Sequence, residues 1–184
     1  MHTPMTKKLL LHTCCAPCVS YSIEKIKEMG YSPAIYFFNP NIHPMEEYEK
    51  RRDELIEFSK KKNYELIIED SGFDDWLKKT EAYAQEPERG ARCSVCFDIR
   101  LRQTAKFAKD NGYPYFSTSL TISPHKSYKV ISEIGNKLAE EFSLSYVDVD
   151  FKKNDGFKKS LEISKEYNLF RQNYCGCKYS IRKS

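Results

Sequence analysis

Residues 9–18 read Leu-Leu-Leu-His-Thr-Cys-Cys-Ala-Pro-Cys, and this stretch sets the fold class. Leu9 to Thr13 is a short apolar run closed by polar residues, the pattern of a buried strand. Ala16 to Met29 then reads as a helix. Pro17 suits its first turn, where a missing N–H costs nothing, and Gly30 marks its end. The alternation repeats outward from there. Further strands are expected at residues 34–38, 65–69, 115–117 and 144–149. Further helices are expected at 44–61, 73–79, from 93 or 94 to 110, 128–142 and 157–167. Residues 80–92, with Pro87 and Gly90, read as a loop, as do the polar residues 118–124. Strands alternating with helices predict an α/β fold, a parallel sheet with helices on both faces. Right-handed crossovers place every strand's carboxyl end on one edge, where such sheets bind ligands.

The chain has 184 residues, enough for one domain with a real core. A single domain over residues 1–184 is expected, with a basic C-terminal segment at 152–184. Apolar residues are 40% and charged residues 30% of the chain, which excludes a disordered class. The early apolar run, Leu9 to Leu11, is too short for a signal peptide or a membrane span, so a cytoplasmic chain without membrane contact is expected. Reducing compartments disfavour structural disulfides, so seven cysteines point to metal or redox chemistry. The net charge of +4 is uneven: residues 152–184 hold nine Lys or Arg against three Asp or Glu. A basic segment of this kind suits a polyanion such as RNA, or a solvated surface. The 13 Tyr and 11 Phe exceed what a core of this size needs, and stacking on a partner is one use for the surplus.

The cysteines fall in three groups. Cys14, Cys15 and Cys18 lie where the first strand meets the first helix, and a helix N-terminus favours thiolates. Cys93 and Cys96 form a C-x-x-C at another helix start. Cys175-Gly176-Cys177 lies in the tail, where Gly176 permits a tight turn. Any one group fits a dithiol, a zinc half-site or free thiols. Zinc takes four ligands and leaves three cysteines idle. A 4Fe–4S cluster also takes four, and idle thiols beside it gain a role as a dithiol–disulfide pair. Asp98, on the helix after Cys96, is within reach of a metal or is a solvated acid. Arg100 and Arg102 on that helix are candidates for a phosphate or for ion pairs. His12 is a candidate proton donor or a packed crevice residue; His43 and His125 are weaker candidates in loops. The hydroxyls of residues 118–123 line a polar pocket, cradle a phosphate or cap turns.

Three motifs carry a resemblance: His-Thr-Cys-Cys-Ala-Pro-Cys at 12–18, Arg-Cys-Ser-Val-Cys-Phe-Asp-Ile-Arg-Leu at 92–101, and Asn-Tyr-Cys-Gly-Cys-Lys-Tyr-Ser at 173–180. In this order and spacing they resemble the QueH family of epoxyqueuosine reductases, over essentially the whole chain. The resemblance implies a three-layer αβα sandwich of the adenine nucleotide alpha-hydrolase-like (HUP) type. It implies reduction of the epoxide of epoxyqueuosine at the tRNA wobble position, the last step of queuosine formation. It implies a 4Fe–4S cluster with a second, mononuclear iron close by. Carried onto this sequence, Cys14, Cys15, Cys93 and Cys96 hold the cluster. Asp98 joins the metal-binding candidates, Cys18 is an alternative ligand to Cys14, and Cys175 with Cys177 forms a redox couple. Catalytic roles fall to Asp98, His12, Cys175 and Cys177. The implied partners are the tRNA anticodon stem-loop and an unidentified electron donor. The basic tail offers Lys178 and Arg182, with Arg171 as a further candidate, for phosphate contacts. Two rivals remain open at this point. One is an adenylating tRNA-modifying enzyme, which the lack of a glycine-rich nucleotide loop disfavours. The other is a zinc-stapled RNA-binding module.

Overall fold

The structure, a computed structural model, describes residues 7–181. The elements run β1 (Lys7–His12), α1 (Ala16–Glu28), β2 (Tyr31–Phe37), α2 (Met45–Lys62), β3 (Leu66–Ile68), α3 (Phe73–Thr80), α4 (Ala91–Asp110), β4 (Tyr115–Thr118), α5 (Tyr128–Phe142), β5 (Ser145–Tyr146) and α6 (Gly156–Glu166). Short 3-10 turns occupy Glu81–Tyr83, Ser119–Ile122 and Lys178–Ser180. The strands form one sheet in the order β3-β2-β1-β4-β5, and every neighbouring pair is parallel.

The central strand explains the layering. Successive side chains of a strand point to opposite faces, so an unbroken apolar run feeds two cores. Leu9 and Leu11 join Ile35, Phe37, Val19, Ile23, Leu55 and Phe151, beneath α1, α2 and α6. Leu10 joins Tyr36, Phe116, Leu101, Ala105, Ile131 and Leu138, beneath α4 and α5. The α/β fold with a parallel sheet and flanking helices agrees with the alternation read from the sequence.

Several boundaries depart from expectation: β1 and β2 begin two and three residues early, at Lys7 and Tyr31, and pair with each other there. The last strand, expected over residues 144–149, pairs only at Ser145–Tyr146. Beyond one further ladder bond, from Val147 N–H to the Phe116 carbonyl, side chains replace the strand. The hydroxyls of Ser117 and Thr121 donate to the carbonyls of Val147 and Val149, each at 2.7 Å. Helix α4 begins at Ala91, ahead of Cys93, because Gly90 takes an extended backbone and caps it. Among the described residues, no helix is long and apolar enough to cross a membrane.

Candidate active site: two groups of thiols at the carboxyl edge

Strand β1 ends at His12, and the chain turns through Thr13 and Cys14 into α1 with Cys15 as its cap residue. Thr13 anchors the turn: its hydroxyl lies 2.7 Å from that of Ser119, and its carbonyl accepts from Asn39 Nδ2 at 2.8 Å. The turn stacks three sulfurs. The Sγ atoms of Cys14 and Cys15 are 3.7 Å apart, those of Cys14 and Cys18 3.5 Å, and those of Cys15 and Cys18 2.8 Å. Thiolates at about 2.3 Å on a tetrahedral ion stand roughly 3.8 Å from one another, so two of the three separations already suit a single metal ion. Hydrogen bonds from Cys15 and Cys18 push the Cys14 thiol well below its usual range. Burial raises Cys15, and the bond it makes to Cys14 raises Cys18 to about 12. The cluster thus favours one thiolate held by two thiols.

A second group forms where α4 meets the tail. Cys93, Cys96, Cys175 and Cys177 line one cavity together with Asn41, Arg92 and Arg100. The tail reaches it by docking on the loop after β2. The Ile42 and Cys177 backbones form an antiparallel bridge, and His43 N–H donates to the Gly176 carbonyl at 2.8 Å. Arg51, almost fully buried on α2, donates from Nη1 to the Cys175 carbonyl and from Nη2 to that of Tyr174, both at 3.1 Å, while its Nε binds Glu47 at 2.7 Å. Cys96 and Cys177 pack against buried Trp76. The N–H groups of Trp76, Arg92 Nε and Arg100 Nε are buried without a partner among the described residues, so donors surround these sulfurs. Burial pushes the Cys96 thiol up. A hydrogen bond from Cys177 brings Cys175 down to about 5, and the same pairing raises Cys177. Cys175 also lines the adjoining cavity of about 210 Å³ with Cys14, Cys18, Lys126 and Arg171. It is therefore the thiol common to both cavities.

This arrangement corrects the expected cofactors. Among the described residues, the one set of three or more candidate ligands with all ligand atoms within 4.8 Å is Cys14, Cys15 and Cys18. That set is consistent with a mononuclear metal site and not with a 4Fe–4S cluster on Cys14, Cys15, Cys93 and Cys96. Cys96 packs on Trp76 with Cys177, and Cys93, which packs against the cluster of Cys14 and Cys15, lines one cavity with Cys96, Cys175 and Cys177. The second iron expected beside a cluster, with Asp98 in its shell, falls with it. The Asp98 carboxylate is held by Arg102 at 3.0 and 3.3 Å and lines a separate groove with Glu69, Asp75 and Gln103. Cys18, the least certain ligand in the sequence, belongs to the three-sulfur set.

The other candidates find definite places. His12 is fully buried; its Nε2 donates to the Phe38 carbonyl at 3.1 Å, and its Nδ1 accepts from the Thr118 hydroxyl at 2.9 Å. Burial, then the Arg100 charge, lowers its pKa to about 3, so it is neutral and ties three strand ends together. Arg100 binds Asn39 Oδ1 at 2.8 Å. His125 lines both thiol cavities, whereas His43 packs 5.5 Å from the Trp76 ring. Of the hydroxyls at 118–123, Thr118 and Thr121 serve the backbone and His12, Ser119 pairs with the Thr13 hydroxyl, and Ser123 lines the cavity beside Cys14. Lys178 is exposed beside Cys177, and Arg182 lies outside the described residues. Sequence reasoning missed Arg51, Asn39, Lys126 and Trp76. Only Arg51 carried a signal, being an arginine at a position on α2 that shares its buried stripe with Tyr48, Leu55 and Phe58.

Comparisons with known proteins identify the family. Residues 9–183 match the family model described as epoxyqueuosine reductase QueH. The epoxyqueuosine reductase QueH of Acinetobacter baylyi is 42% identical over 176 residues, covering 95% of this chain and 81% of the relative. That of Dehalococcoides mccartyi is 40% identical over 177 residues, covering 96% and 93%. Among solved structures, a predicted tRNA methyltransferase subunit from Methanocaldococcus jannaschii superposes with a TM-score of 0.58 at 14% identity, covering 94% of this chain and 100% of that one. The U34-tRNA thiolase NcsA of Methanococcus maripaludis, solved with its 4Fe–4S cluster, gives 0.58 at 13% identity, covering 96% and 62%. At such identities these two share the fold alone. The match across nearly the full length, at 40% identity and above with both relatives named, means that the chain belongs to the epoxyqueuosine reductase QueH family.

Proposed function

We infer that this chain reduces the epoxide of epoxyqueuosine in tRNA to give queuosine. The observation that carries this is the family match over residues 9–183, which spans all three cysteine motifs. It removes the two rivals, the adenylating enzyme and the zinc-stapled module. The sheet order β3-β2-β1-β4-β5, with separate apolar clusters on its two faces, supports a three-layer αβα sandwich of the HUP type.

The chemistry makes specific demands. An epoxide becomes an alkene by taking up two electrons and two protons and losing its oxygen as water. The thiols of Cys14, Cys15 and Cys18 would hold one metal ion, which would supply Lewis-acid chemistry for loss of the epoxide oxygen. In our reading, Cys175 and Cys177 are the internal reductant. Closing a disulfide between them releases two electrons and the one proton that Cys177 carries; solvent supplies the second proton, and an external two-electron donor reopens the bond. Their pairing of a thiolate with a thiol supports this, because a thiolate is the reactive form and the thiol retains a proton. His12 acts as a positioning residue, since both of its ring nitrogens are engaged. The cavity beside Cys14 and Cys18 receives the modified base, which is already unpaired in an anticodon loop. Lys126 and Arg171, which line that cavity, and the exposed Lys178 hold the RNA backbone.

The test is direct. Transfer RNA bearing epoxyqueuosine is incubated with the chain and a chemical reductant without oxygen, then digested to nucleosides for mass spectrometry. The nucleoside should lose one oxygen atom with the wild-type chain and show little loss with Cys175→Ser. An unchanged nucleoside with the wild-type chain would overturn the assignment.

A further inference from the structure

A buried guanidinium with one acidic partner is an expensive plug for a core, because an apolar side chain of similar volume is commonly as stable or more so. Arg51 is 2% exposed and has a single carboxylate partner, Glu47. Both of its terminal nitrogens bond the tail. Nη1 and Nη2 fork onto the carbonyls of Cys175 and Tyr174, and the guanidinium carbon lies 5.4 Å from the centre of the Tyr174 ring. The same side chain lines the cavity that holds Cys14, Cys18 and Cys175. The tail meets it from the other side through Gly176. That residue has φ +98°, and a Cβ there would stand 2.9 Å from Arg51 Nη1 and 3.0 Å from Ile42 Cγ1. Only glycine combines that backbone with so close an approach.

We propose that Arg51 is the positioning residue that holds Cys175 against the three-sulfur site, and so couples the two thiol groups during reduction. The proposal rests on the reading of Cys175 as redox-active. The physical case is one of geometry. Residues 170–177 follow α6 with no regular element of their own before the bridge at Cys177, so the local hold on the Cys175 sulfur is a single long bond from the Cys177 N–H at 3.4 Å. The fork supplies that fix from α2, a long helix seated in the core. A planar guanidinium can hold two adjacent carbonyls and a carboxylate together, which a point-charge ammonium cannot. Without it the tail keeps the Ile42–Cys177 bridge and the bond from His43 N–H to Gly176, and Cys175 alone loses its register.

The experiment compares wild type with Arg51→Met, Arg51→Lys and Gly176→Ala, each full-length and purified without oxygen. Brief iodoacetamide labelling is mapped to each cysteine by peptide mass spectrometry, and kcat, KM and bound metal are measured alongside. Arg51→Met should label Cys175 several-fold faster relative to Cys14, with metal content and KM unchanged and kcat down about 10- to 100-fold, the scale of a small misplacement of reacting groups. Arg51→Lys keeps the pair with Glu47 and should show the same signature in weaker form; Gly176→Ala should reproduce it from the tail side. Unchanged labelling of Cys175 in both Arg51 variants overturns the proposal. So does an equal rise at all seven cysteines, which marks a role in general stability alone. The premise is checked separately by Cys175→Ser: undiminished turnover there defeats the redox reading, whatever the labelling of the Arg51 variants shows.

Discussion

Replacing Gly156 with alanine should destabilise the chain far more than the same change at Gly112, although both glycines sit at helix ends. Gly156 opens α6, and an added Cβ would stand 1.7 Å from the Phe151 carbonyl oxygen and 2.8 Å from Tyr21 Cε1. Ordinary contact needs roughly 3.2 Å, so a shift of about 1.5 Å is required. Neither side gives readily. Phe151 is 1% exposed, and its N–H binds the Thr121 hydroxyl at 3.3 Å; Gly156 N–H binds the Lys153 carbonyl at 3.1 Å. Overpacking costs about 1–3 kcal/mol, partial loss of the Phe151 burial adds about 1–2, and the better helix propensity of alanine returns at most about 1. The net loss is about 1–5 kcal/mol, centred near 3. Gly112 has φ +73° but nothing within 4 Å of its added Cβ, so only backbone strain of about 1 kcal/mol is expected there. Urea unfolding with a slope of about 2 kcal/mol/M should therefore shift the midpoint down by about 1–2 M for Gly156→Ala and about 0.5 M for Gly112→Ala. Because Phe157 and Ser160 wall the cavity beside Cys14 and Cys18, metal retention should weaken with the first variant. Equal midpoints for the two variants would refute the reasoning.

Other outcomes follow from the site. Cys18→Ser should lose the single metal ion while Cys93→Ser and Asp98→Asn keep it, as read by elemental analysis; loss with Cys93→Ser would move α4 into that shell. In metal-free chain, the Cys175 pKa of about 5 lies below the ordinary thiol value, so the thiolate persists at neutral pH and is lost as pH falls through that value. Iodoacetamide labelling of Cys175 should thus be flat above about pH 6.5 and fall toward pH 4, whereas an ordinary thiol would still be accelerating near pH 8. Charge reversal at Lys178 should weaken tRNA binding and lower the magnitude of its logarithmic salt slope by about 1, measured by titration at several salt concentrations; an unchanged slope removes Lys178 from the RNA surface.

Much was legible before any coordinates. The run Leu9–Leu11 with Pro17 and Gly30 announced a buried strand feeding a helix, and the repeats of that pattern placed every strand and helix to within a few residues, β5 excepted. That strand was overread because apolar periodicity cannot show that the hydroxyls of Ser117 and Thr121 take the carbonyls a ladder would use. The three cysteine motifs, and the family they resemble, were equally plain from the chain.

The grouping of the thiols was not. Sequence by itself determined that this chain is a parallel α/β protein of this family, because strand–helix alternation and short motifs are local properties, written in neighbouring residues. Which sulfurs converge was decided only by tertiary contacts between residues far apart in the chain. Arg51 reaches the Cys175 carbonyl, Ile42 bridges Cys177, Arg100 reaches Asn39, and Arg89 Nε holds the His125 carbonyl at 2.9 Å. Those contacts bring the tail against α4, where Cys96, Cys175 and Cys177 meet Trp76, while Cys14, Cys15 and Cys18 lie within 4.8 Å of one another. No periodicity encodes such crossings, because they depend on where loops from separate strands meet at the carboxyl edge of the sheet.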